Sequence, residues 1–141
     1  MNLSEHFTLQ ELTITEHRQF DNTPNAAEIE NLKKLAAFLE EVKEVLDGKP
    51  IIINSAFRSK KVNDAVGSSD KSQHRLGCAA DFRVPSMTPD QVVSTIIKSG
   101  LKYDQIIREF DSWTHISISD KPRKQALIID KSGTRPYVIK A

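Results

Sequence analysis

The sequence predicts an α+β fold: a single domain over residues 1–141, with N-terminal helices packed on a small, mainly antiparallel sheet. Three observations predict it. Apolar residues recur with helical spacing in two stretches that end at Gly48 and Gly100. Short β-like runs crowd the chain after Gly100. Cap and turn residues punctuate these segments, while repeats, low-complexity stretches and linkers are absent.

The clearest helix follows Thr23-Pro24. Thr23 is placed to cap it, and Pro24 suits its first position. Ile29, Leu32, Leu35, Ala36, Leu39, Val42 and Leu46 then form one apolar stripe. Gly48 and Pro50 end it. Ile51-Ile52-Ile53 reads as a short buried strand, and a polar stretch runs from Asn54 to Gln73. Ala79 to Val84 reads as a strand. Thr88-Pro89 starts a second amphipathic helix through Val92, Val93, Ile96 and Ile97, closed by Gly100. Three β-like runs follow at Tyr103–Glu109, Thr114–Ser119 and Ala126–Asp130, with a tail strand near Tyr137–Ile139.

Composition narrows the function. Twenty basic and 19 acidic side chains leave a net charge of +1. That balance exerts no general pull on nucleic acid or anionic lipid, so neither is an expected partner. The one cysteine, Cys78, excludes an internal disulfide. No apolar run approaches the roughly 20 residues of a membrane helix. The N-terminal MNLSEHFTLQ lacks a basic region followed by an apolar one, so a secretory signal is not expected. The protein would be made in the cytoplasm, and something else would carry it to any substrate outside.

The chain has four histidines: His6, His17, His74 and His115. His6 and His17, near a helix start and in a polar loop, read as surface residues. His74 precedes a turn marked by Gly77. Along the strand that follows, Ala80, Phe82 and Val84 share an apolar face, so Asp81 points the other way. Along the later strand, Ile116 and Ile118 share the apolar face, so His115 and Ser117 oppose it. If the two strands pair antiparallel, Asp81 and His115 sit opposite each other, with Cβ atoms about 4.5–5.5 Å apart. The turn would then deliver His74 as a third group. Two imidazoles and a carboxylate are a catalytic zinc set, which leaves a fourth position open. A nearby carboxylate would move the proton, and Glu109 and Asp111 are the candidates. The competing reading makes all three ordinary hydrogen-bonded strand residues. Cys78 could pair with His74 on zinc, but beside Ala79 and Ala80 it reads as a small packing residue.

These segments resemble a known family. Ser72-Gln73-His74, Gly77-Cys78-Ala79, Asp81 and Trp113-Thr114-His115 are similar to the pattern of the zinc D-alanyl-D-alanine carboxypeptidases and L-alanyl-D-glutamate endopeptidases. That group includes phage endolysins. The upstream INSAFRSKKVNDAVGSS and the N-terminal HFTLQEL resemble its small phage-type branch. The resemblance implies zinc held by His74, Asp81 and His115 on the sheet. It implies Arg58 on the carboxylate of a peptidoglycan peptide, through a planar fork that lysine cannot copy. It implies Ser72 on the substrate or steadying His74. Several relatives carry the catalytic Glu three residues before the last histidine, where this chain has Ser112. The phage-type Glu-Phe element points instead to Glu109, with Asp111 the other candidate.

The implied function is a zinc metallopeptidase, acting as a monomer, that hydrolyses an amide of peptidoglycan stem peptides. The bond is D-Ala-D-Ala or L-Ala-D-Glu, and the context is phage lysis or a virion tail, with a bacterial housekeeping peptidase fitting as well. A rival class is a non-catalytic zinc module that binds wall peptide or a protein partner, as the fold-related Hedgehog signalling domain suggests. A third is a metal-free virion structural protein.

Overall fold

The computed structural model describes residues 1–69 and 71–139. Its first helix, α1 (Leu9–Leu12), is a single turn capped by Thr8 and Glu11 in a reciprocal box. The long helix α2 spans Ala26–Val45, and its apolar stripe is buried at Leu32, Leu35, Ala36, Leu39 and Val42. Asn25, not Thr23, caps it. The Asn25 side chain accepts from Glu28 N, while Glu28 accepts from Asn25 N, which satisfies two orphan donors at once. Thr23 instead donates to Asp21 Oδ1 at 2.6 Å, so the helix starts two residues later than the Thr-Pro signal predicts.

The next elements are β1 (Ile52–Ser55), α3 (Lys60–Ala65), α4 (Gln73–Leu76) and β2 (Ala79–Arg83). The stretch 54–73 therefore is not all loop, because Ser59 caps a short helix within it. His74 stands on the one-turn α4, not on a turn. α5 (Pro89–Ser99) starts at Thr88-Pro89 and ends at Gly100, as the sequence predicts. β3 (Gln105–Glu109), β4 (Trp113–Ser117) and β5 (Gln125–Asp130) match the later runs to within two residues. The last strand, β6, is Gly133–Pro136, so the tail strand precedes Tyr137–Ile139 instead of containing them. The tail pairs early because Asp130 and Gly133 face each other in the register.

The six strands form one sheet in the order β1-β2-β4-β3-β5-β6. Every pairing is antiparallel except β3 with β5, which is parallel. The sheet is mainly antiparallel, and the fold is the α+β class that the sequence predicts. Ala80, Phe82, Ile106 and Ile116 are wholly buried and join the stripe of α2 and Val92, Val93 and Ile96 of α5 in one core. Period-two alternation sends the residues between them to the other face. Among the described residues, no helix is long and apolar enough to cross a membrane.

Candidate metal centre

The register between β2 and β4 places Asp81 directly opposite His115. Asp81 Oδ1 lies 2.9 Å from His115 Nδ1 and 3.3 Å from His74 Nε2. The two imidazole rings stand 5.1 Å apart, edge to face. One ligand atom from each of the three residues falls within 4.8 Å of the others, a spread that one metal ion can span. Both histidines are buried.

Local structure aims each ligand. The bulge between Ile53 and Ser55 puts Ser55 opposite Asp81 at the sheet edge. Ser72 caps α4 and accepts from His74 N at 3.2 Å, so it steadies His74. The left-handed Gly77 (φ 79°) ends that turn, and a Cβ there would meet Glu28 O at 3.1 Å. His74 Nδ1 lies 2.7 Å from the carbonyl of Ala56. The ring must donate there, which fixes the tautomer and leaves Nε2 free to bind a metal. Residue types carry no signal for this backbone acceptor, and sequence reading missed it.

The electrostatics suit a cation. Burial pushes the Asp81 carboxyl up, but the hydrogen bonds from His115 and His74 outweigh it and hold the group well below the usual carboxylate range. Asp81 is therefore an ionised ligand beside two imidazoles. This is the N/O donor set that zinc accepts, with room left in its coordination.

The structure separates the two candidate bases. Ile107 pairs with His115 and Glu109 with Trp113, so Glu109 shares the face of His115 and Asp81. Its Oε1 is 4.0 Å from His115 Nδ1. Burial, then the charge of Asp81, push its carboxyl above the usual range, while His115, Trp113 and Arg58 oppose the rise. Asp111 goes elsewhere. It sits in the β3–β4 hairpin, where Phe110 and Asp111 are both left-handed (φ 52° and 51°). Its carboxylate lies 3.0 Å from Arg108 Nε, and Arg108 also reaches Asp90 of α5 at 2.9 Å. Arg108 alternates with Glu109, so Asp111 is drawn toward the helix side of the sheet.

Arg58 is brought to the site. Burial lowers the pKa of its guanidinium, and the charges of Asp81 and Glu109 oppose this. Among the described residues its buried Nε has no hydrogen-bond acceptor. Trp113, half-buried on the triad face, turns its indole toward the Glu109 carboxylate. Cys78 is half-buried and lies outside the three-residue group. His6 is exposed and bonds Glu40 at 2.7 Å, while His17 is half-buried instead of lying on the surface. An open cleft of about 370 Å³ runs past His115 between Ser69, Lys71, Ser72, Gln105 and Arg123. A larger hollow of about 560 Å³ holds none of the three clustered ligands, whereas the smaller cleft reaches His115.

The chain matches no curated protein. Residues 5–117, which include Arg58, Ser72, His74, Asp81, Glu109 and His115, match the model of a family described as Peptidase M15.

Proposed function

The chain belongs to the peptidase M15 family of zinc metallopeptidases that act on peptidoglycan-type substrates, and from that premise we propose that it hydrolyses a stem-peptide amide at the His74–Asp81–His115 centre. The observation that carries this reading is the convergence of Asp81 Oδ1 on both imidazoles, with Glu109 4.0 Å from one of them.

His74 Nε2, Asp81 Oδ1 and His115 Nδ1 would hold the zinc. When bound, the ion polarises the scissile carbonyl and makes water acidic enough to react near neutral pH. Glu109 would accept a proton from the attacking water and pass it to the leaving amine. Its raised pKa suits both halves of that exchange. Arg58 binds a substrate carboxylate, which supplies the acceptor its buried Nε lacks. Ser72 acts through His74, which its cap holds in place.

Residues 1–141 would work as one zinc peptidase domain, and as a monomer, since one chain contributes all the groups. The bond is D-Ala-D-Ala or L-Ala-D-Glu. The context proposed is phage lysis or a virion tail, acting on the wall after release. Purified peptidoglycan incubated with the zinc-loaded protein, followed by mass spectrometry of new termini, tests the reading and separates the two bonds. No new termini would leave a zinc-binding module in its place.

A further inference from the structure

We propose that Asn22 is a positioning residue for Arg58, and so sets affinity for the substrate carboxylate. The inference rests on the reading of Arg58 given above.

Arg58 lies between β1, which ends at Ser55, and α3, which begins at Lys60. No sheet ladder or helix holds the backbone there. Long-range bonds hold it instead. Phe57 N donates to Leu12 O at 2.9 Å, and Arg58 N donates to His74 O at 2.9 Å. The two peptide groups flanking Arg58 both close on one side chain. Asn22 Nδ2 donates to Phe57 O at 3.1 Å, and Ser59 N donates to Asn22 Oδ1 at 2.7 Å.

Only a side chain with a donor at one end and an acceptor at the other can bridge a carbonyl and the amide two residues on. Asn22 is itself anchored, because Nδ2 also donates to Thr13 O at 2.9 Å. Ser59 Oγ donates to Asp21 O at 2.8 Å and closes the same junction. The loop between α1 and α2 thus holds the residue that the carboxylate site needs. This matters because Arg58 Nε has no acceptor among the described residues, and only the charges of Asp81 and Glu109 draw the guanidinium. Its aim depends on its backbone. The surrounding fold rests on other groups, since Ala56 and Phe57 are buried to within 1%. Loss of Asn22 should therefore loosen Arg58 without unpacking the core, and small misplacements of a positioning group are costly.

The test compares Asn22→Ala, Asn22→Asp, Arg58→Ala and Asn22→Ala/Arg58→Ala in the zinc-loaded full chain. The probe is a synthetic stem pentapeptide with a free C-terminal carboxylate that contains both candidate bonds. Asn22→Asp keeps the acceptor for Ser59 N but sets a carboxylate against two carbonyls, so it serves if the alanine variant folds poorly. Both variants should raise KM about tenfold and change kcat less than about twofold. Zinc content should be unchanged. Calorimetry of the pentapeptide on metal-stripped protein should show the same loss in Kd. Adding Asn22→Ala to Arg58→Ala should leave KM where Arg58→Ala put it. An equal rise in that background would overturn the proposal, as would an unaltered KM in Asn22→Ala when Arg58→Ala raises it. An unaltered KM in Arg58→Ala would remove the carboxylate role of Arg58 itself, and the clamp with it.

Discussion

Asp81 on β2 and His115 on β4 face each other across an antiparallel ladder, with 2.9 Å between Oδ1 and Nδ1. The sheet itself therefore presents two of the three proposed ligands, and their spacing cannot drift unless the register slips. A one-residue slip of either strand would turn its own ligand toward the core and away from the other. The third ligand, His74, comes from outside the sheet and depends on α4 being held against Ala56.

His115→Ala should abolish stoichiometric zinc binding. Elemental analysis after dialysis should fall from about one zinc per chain to well below it, because ligand removal leaves too few protein donors for a tight site. Chelation of the native protein should lower its thermal midpoint and re-addition restore it, since a ligand that binds only the folded state stabilises by mass action. A full complement of zinc in His115→Ala would remove this residue from the set.

Glu109→Gln should cut turnover by about 10²–10⁴-fold with zinc retained. Asp111→Asn should stay within a few-fold of the native rate, because its partner Arg108 lies toward the other side of the sheet. Its stability cost should be no more than about 1 kcal/mol, as for other exposed ion pairs. Comparable losses in kcat for the two variants would undo the assignment of the base.

Gly77→Ala should destabilise the protein by about 1–3 kcal/mol, as a strained left-handed residue. The added Cβ would lie 3.1 Å from Glu28 O and 3.2 Å from Leu32 Cγ, both in the rigid α2. Gly77 N also donates to His74 O at 3.3 Å, so zinc affinity should fall together with stability. Urea titration and metal competition read the two effects separately. A variant with native stability and weaker zinc binding would show that the turn serves only the ligand.

Asp104 should make stability depend on pH in the acid range. Arg123 bonds its carboxylate through Nε and Nη2, Gln73 adds a further donor, and together they pull its pKa down from 3.8 to about 2 despite burial. The depressed group contributes fully above its unfolded pKa, and the contribution disappears as pH falls toward its folded one. It is worth roughly 2 kcal/mol at neutral pH. The stability gap between the native protein and Asp104→Asn should be constant above about pH 5 and narrow toward about pH 2. Denaturant titrations across that range measure it. A gap that widens on acidification would contradict the pairing.

Much of this fold was legible in the chain. The stripe from Leu32 to Val42, the Thr88-Pro89 start and the strand alternation around Asp81 and His115 are local patterns, and the structure keeps them. Two short helices were not legible. α3 and α4 are too brief for a periodic signal, and each exists because a serine caps it and its neighbours pack on it. The start of α2 moved because Asn25 and Glu28 form a better cap than Thr23 alone.

The sequence by itself determined that Asp81 and His115 could be ligands, because alternation along a strand settles which side chains oppose the core, while His74 rested on the Ser-x-His resemblance. Tertiary structure decided which of them meet and how they are aimed. It put Glu109 on the face of Asp81 and His115 through the β3–β4 register and drew Asp111 toward Arg108. It fixed the His74 tautomer through a carbonyl 18 residues away, and it clamped the backbone around Arg58 through Asn22 at a separation of 35 residues from Phe57. These choices rest on backbone groups that every residue type carries, and only the path of the folded chain determines which of them come together.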